Sequence, residues 1–211
     1  MATDPLSRLT AHPWHGVSPG DKAPEQCPRY IEIVPPDTVK YELDKASGLL
    51  KLDRPQLFSN VIPCLYGFIP QSYCAVQVAA RCTERTQRTG LRGDGDPLDI
   101  CVLTEKTISH GNLLVTARPI GGLRLVDKGE VDDKIIAVLR DDALYGAMNE
   151  LSELPKKLTD RLSHYFLTYK QPPGSKTSTC EIVEVYGRDE AHEVIRRSFS
   201  DYASLALPHA S

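Results

Sequence analysis

The chain of 211 residues, 41% hydrophobic and 25% charged, has the size and composition of one ordinary globular domain. A formal net charge of −3 excludes a global attraction to nucleic acid or an anionic membrane, so an anionic ligand has to be held by a local basic cluster or by bound cations. No stretch approaches the roughly 18 to 20 apolar residues of a membrane span, the opening MATDPLSRLTAHPWHG does not resemble a signal peptide, and Cys27, Cys64, Cys74, Cys82, Cys101 and Cys180 form no CxxC pair; the cytoplasm is the expected compartment and the thiols are expected reduced and mostly buried.

Residues 1–28 are rich in Pro and Gly without periodicity and are expected as an irregular arm, ahead of one domain over 29–205 and a short tail at 206–211. Within the arm, His12 and His15 lie beside Pro13 with no Cys or third ligand near, so the HPWH segment is expected to pack or cap rather than to bind metal. From Tyr30 the pattern turns to strands: YIEIV at 30–34 and TVKYELD at 38–44 alternate in period two, and LLKLD at 49–53 follows a KASG turn. That is a meander containing a tight hairpin.

Between Cys74 and Gly93 the sequence is polar, basic and poorly periodic, which predicts an exposed insertion opening with a short strand, its arginines solvated. Further strands are expected at 99–103, 113–118, 121–126 and 134–139, each bounded by Gly, Asp or Pro. Helical spacing comes late: Leu158, Leu162, Tyr165, Phe166 and Tyr169 recur after Pro155, and Ala191, Val194, Ile195, Phe199 and Tyr202 follow an Asp189 cap. Short strands closed by two principal C-terminal helices predict the α+β class, built on a small barrel or a highly curved sheet. Periodicity does not separate the two.

The densest chemical signal is GDGDPLDICV at 93–102, which sets Asp94, Asp96 and Asp99 just before an apolar strand. At an effective dielectric near 20, two unit charges about 4 Å apart repel by roughly 4 kcal/mol, so such a cluster facing inward calls for cations. Oxygen ligands at this density suit magnesium, manganese or calcium. A solvated acidic turn has the same composition, but Pro97 and the strand that follows would hold the carboxylates in place as a metal site requires.

An EF-hand reading places Asp94, Asp96 and Glu105 correctly and then fails, with Leu98 at the fifth position and Asp99 where the obligatory Gly belongs. Leu98 likewise replaces the third Gly of a dinucleotide fingerprint, and GSKT at 174–177 lacks the GK of a P-loop. A second acidic run, VDKGEVDDK at 126–134, supplies Asp127, Asp132, Asp133 and Lys134, and by itself reads as a solvated turn. Glu32, Lys40 and Glu42 form a third set on the first hairpin, where period two puts Lys40 and Glu42 on one face. Carboxylates from three segments, joined by Lys40, Arg54, Lys134 and Lys170, suit metal-bridged phosphate hydrolysis.

These residues resemble the soluble inorganic pyrophosphatases, whose DxDPxD hallmark stands here as DGDPLD. The resemblance continues, in order, through IEI around Glu32, KYELD around Lys40 and Glu42, LDR ending at Arg54, PCLYGF around Tyr66, ARPIGGL from Ala117, the 127–134 loop and HYFLTYK ending at Lys170, covering residues 28–205. It implies a five-stranded OB-like barrel with additional strands, and hydrolysis of pyrophosphate to two phosphates with several magnesium ions per site, manganese or other divalent ions substituting. It implies metal binding by Asp94, Asp99 and Asp132, with Asp127, Glu32 and Glu42 serving further metals. Asp96 is implied as the general base toward the attacking water, and Lys40, Arg54, Tyr66, Lys134, Tyr169 and Lys170 as the groups that hold the phosphoryl oxygens. Without the resemblance, Tyr169 reads as a core aromatic ending its helical stripe.

The family forms dimers or hexamers, so a homo-oligomer is implied without a choice between them. The sequence departs from the family at Ile62, Leu65 and Phe68, where polar groups are expected on the site wall, and in the arm and the 74–93 insertion. A noncatalytic barrel that binds nucleic acid would interleave exposed aromatics with Lys and Arg, whereas only 7% of residues are aromatic and the clustered charges are acidic. A nucleotide hydrolase would need a base-recognition motif, and none is evident.

Overall fold

A computed structural model describes residues 12–206 except 59, 173, 176 and 177; residues 1–11 of the expected arm, Lys176 and Thr177 of the GSKT run, and 207–211 of the tail lie outside the described residues. The first half contains β1 (Cys27–Ile33), β2 (Val39–Leu43), β3 (Leu50–Pro55), β4 (Leu65–Phe68), α1 (Val76–Thr86), β5 (Arg92–Gly93) and β6 (Asp99–Leu103). The second contains β7 (Leu113–Asp127), β8 (Glu130–Val131), β9 (Lys134–Leu139), a 3-10 turn (Leu151–Glu153), α2 (Lys156–Thr168), β10 (Cys180–Gly187) and α3 (Arg188–Ala206).

The strands resolve the choice between barrel and curved sheet. β1 pairs β4, β4 pairs β6, β6 pairs β9 in parallel, β9 pairs β7, and β7 returns to β1, which closes a five-stranded barrel. β10 and the short β8 extend it from β7, and β5 pairs β8. The β2–β3 hairpin stands apart as its own two-stranded sheet.

Both faces of the barrel strands are covered, which explains why DICVL and KIIAVL read as continuous apolar runs. Ile100, Val102, Ile135 and Ala137 pack with Val78 and Cys82 of α1 and Ala191, Val194 and Ile195 of α3. Cys101, Leu103, Ile136 and Val138, one residue out of phase, pack with Leu162, Tyr165 and Phe166 of α2. All six cysteines are free and buried.

The two strands expected at 113–118 and 121–126 are one strand, β7, with a register shift between Pro119 and Gly121. Pro119 has no N–H to give the ladder. At Gly121 an added Cβ would come within 2.4 Å of the Tyr186 carbonyl on β10, so the residue must be glycine for the strands to approach. The PIGG run that reads as punctuation lies within one strand, with the bulge at Ile120 and both glycines paired to β9.

The insertion after Cys74 is also corrected: its core is the helix α1, not a strand, and its arginines are paired. Asp201 of α3 caps the helix by accepting the N–H groups of Ala75, Gln77 and Val78 at 2.9–3.1 Å. Arg81 pairs Glu190 and Arg85 pairs Glu184 along the helix, and just beyond its end Arg88 grips Glu181 through two bonds of 2.8 and 2.9 Å. The last helix begins at Arg188, which puts Asp189 in its first turn instead of at the cap. β4 and β10 had no counterpart among the expected strands: β4 is buried throughout, and β10 carries a register shift between Ile182 and Glu184 that breaks its alternation.

Candidate active site

Every residue that the resemblance implies as ligand, base or phosphate-holding group lines a single cleft. Its volume of about 260 Å³ falls just under the roughly 300–1,000 Å³ of sites for drug-sized ligands, so it suits a small polar ligand. β1 contributes Glu32, β2 contributes Lys40 and Glu42, and β3 Arg54; the loop into β6 brings Asp94 and Asp96, the start of β6 Asp99, the end of β7 Asp127, and the turn between β8 and β9 Asp132. Tyr66 comes from β4 and Lys134 from β9, while Tyr169 and Lys170 come from the end of α2.

The segment carrying the three aspartates is held by hydrogen bonds to the residues before α1. Cys74 N–H donates to the Asp96 carbonyl at 2.9 Å, Gly95 N–H to the Cys74 carbonyl at 3.0 Å, and Leu98 N–H to Ser72 Oγ at 2.8 Å. Buried Trp14 of the HPWH segment donates its indole N–H to the Ser72 carbonyl at 2.7 Å, and His15 is hydrogen-bonded to Tyr202. The expected packing role of that segment is therefore observed, and it braces the aspartate loop.

At the floor, the buried Lys134 ammonium donates to the carboxylates of Asp99 and Asp132 and to the Tyr66 hydroxyl, and Tyr66 donates to Asp99. Burial alone would push Lys134 down, but Asp132 and Asp99 outweigh it and hold the ammonium well above its ordinary range. Burial, reinforced by the charges of Asp132 and Asp99, raises Asp94 to about 9. Burial and Asp99 raise Glu32 to about 8, although its Oε1 accepts the Leu43 N–H at 2.7 Å. Lys40 lies 3.4 Å from Glu42 and 3.2 Å from Asp53, which also pairs with Arg54. Lys170 donates to Asp127 at 2.8 Å.

Divalent cations fit this donor set. The carboxylates are oxygen ligands of the hard type, Asp94 and Glu32 are disfavoured as anions without further positive charge, and one carboxylate oxygen of Asp127 is buried with no hydrogen-bond partner. Among the described residues no three acidic, His or Cys side chains already converge as a metal-holding group; the Lys134 ammonium stands between Asp99 and Asp132. The fit is thus one of donor chemistry and charge.

Two expectations change: the solvated turn at Asp133 and the place of Leu65 on the site wall. Asp133 alternates away from Asp132 and Lys134 into the interior, where its carboxylate accepts the Tyr186 hydroxyl at 2.8 Å and lies 3.5 Å from Arg124. Of the three departures from the family, Ile62 and Phe68 do line the cleft, but Leu65 belongs to the core beneath α1 and α3 and does not. Lys45, met in the sequence only as part of the KASG turn, lines the cleft and pairs with Asp96. A lysine in a polar turn carries no sequence signal for such a role.

A family model described as Inorganic pyrophosphatase matches residues 29–203. The chain is 53% identical to the inorganic pyrophosphatase of Chlamydia muridarum, over 98% of this chain and all of that one, and 36% identical to soluble inorganic pyrophosphatase 3 of Arabidopsis thaliana, over 96% and 84% of the two chains. Among solved structures, the inorganic pyrophosphatase of Thermus thermophilus superposes with a TM-score of 0.75 at 28% identity, covering 92% of this chain and 99% of that one.

Proposed function

Because the chain belongs to the inorganic pyrophosphatase family, whose members hydrolyse pyrophosphate to two phosphates using divalent metal ions, we propose how the cleft divides that reaction among its residues. The protein is an inorganic pyrophosphatase, a hydrolase. Asp96 acts as general base: its carboxylate is 44% exposed against 22% for Asp99, and so can take a proton from the attacking water.

Asp94, Asp99 and Asp132 hold activating metals, and Asp127, Glu32 and Glu42 serve further ions that come with the substrate. Magnesium is the proposed ion, several per site, with manganese a substitute. Bound divalent cations supply an acidified water and neutralise phosphoryl charge. Lys40, Arg54, Lys134 and Lys170, with the Tyr66 and Tyr169 hydroxyls, orient the two phosphoryl groups and stabilise the leaving phosphate. Tyr169 is fixed for this by the Asn60 amide, which donates to its carbonyl at 2.9 Å. The observation that carries the reading is the facing of the acidic loops by this cationic rim within one cleft.

We place the enzyme in the cytoplasm on the strength of its six free, buried thiols; no helix among the described residues is long and apolar enough to cross a membrane. Exposed Leu49 and Leu52 of the outer hairpin, and Leu57 and Phe58 just after it, leave apolar surface that a second copy of the chain could cover, in support of a homo-oligomer. Asp94→Asn and Asp99→Asn test the ligand assignment. Each is expected to raise the magnesium concentration for half-maximal activity by about 10- to 100-fold, and an unchanged requirement contradicts it.

A further inference from the structure

Lys45 sits in the turn between β2 and β3 and reaches across the cleft mouth to the aspartate loop. Its ammonium donates to the Gly95 carbonyl at 3.0 Å and forms an ion pair with the Asp96 carboxylate. The other end of the residue is also fixed: the Lys45 carbonyl accepts a hydrogen bond from His12 Nε2 at 3.1 Å. The His12 ring packs directly on the same turn, where a Cβ at Gly48 would lie 2.6 Å from it. Arm, hairpin turn and aspartate loop thus meet at one lysine.

The neighbours of Asp96 are held differently. Asp99 is gripped by Lys134 and Tyr66, and Asp94 accepts the Asp96 N–H at 3.0 Å. Asp96 has its main chain fixed by Cys74, but the cation that engages its carboxylate is Lys45. A reacting group has to be kept within roughly 0.5 Å of its productive position, and a half-exposed carboxylate does not keep such a position unaided.

We propose that Lys45 is a positioning residue for Asp96, orienting its carboxylate for proton transfer from water. The inference rests on the reading of Asp96 as the base. An ion pair this exposed contributes little to stability, so its loss should be felt in turnover and not in folding.

The test compares Lys45→Met and Lys45→Arg, each alone and combined with Asp96→Asn, by kcat and KM for pyrophosphate at saturating magnesium. Lys45→Met is expected to lower kcat by about 10- to 100-fold with KM changed by no more than about twofold. Lys45→Arg should restore most of the rate, and Lys45→Met should cost nothing further once Asp96 is Asn. A normal kcat in Lys45→Met overturns the proposal, as does a raised KM at normal kcat, which would make Lys45 a phosphate ligand, or a full additional loss in the Asp96→Asn background. Near-normal turnover of Asp96→Asn alone removes the base and the proposal with it, whereas a slow Asp96→Asn beside a normal Lys45→Met overturns the Lys45 role only.

Discussion

Asp94, Asp96 and Asp99 share one short segment and one chemistry, yet their surroundings differ. Asp99 is committed to Lys134 and Tyr66. Asp94 is pushed up to about 9 by burial and by the charges of Asp132 and Asp99, the condition of a carboxylate that gains from a cation beside it. Asp96 combines an open carboxylate with an exposed partner. Asp96→Asn preserves shape while removing the proton acceptor, so kcat is expected to fall at least about 10²- to 10⁴-fold with an unaltered thermal melt. Near-normal turnover refutes the assignment.

At the scale of elements, the strongly patterned segments were legible and the tertiary ones were not. Residues 99–103 and 134–139 coincide with β6 and β9 because apolar runs ended by charged residues have few other ways to fold. α1 was missed because its apolar stripe is only Val78, Ala79 and Cys82, and the groups that stabilise it, Asp201, Glu190, Glu184 and Glu181, lie about a hundred residues further along the chain. The cleft-lining residues are legible only through motif order, since nothing local distinguishes Asp132, which faces the cleft, from Asp133, which faces Tyr186 and Arg124. Asp201 shows what the missed contacts are worth. Asp201→Ala leaves three N–H groups at the start of α1 without their acceptor and is expected to cost about 2 kcal/mol in denaturant unfolding. An unchanged midpoint would mean that α1 does not depend on this cap.

For the molecule as a whole, the modest net charge of −3 conceals a sharp local division. A closed barrel brings acidic loops from several strands to one opening and surrounds them with lysine and arginine, so a net-acidic protein can take a polyanion through cations of two kinds, its own side chains and bound metal. The wall carries Ile62 and Phe68, apolar groups in place of polar ones, without displacing any residue assigned to metal or phosphate. The most direct measurement is phosphate release by the purified protein from pyrophosphate with magnesium, run beside ATP and beside a chelator control. Rapid release from pyrophosphate that the chelator abolishes, with little from ATP, is the predicted result; magnesium binding without turnover of pyrophosphate would contradict the account and direct attention to Ile62 and Phe68.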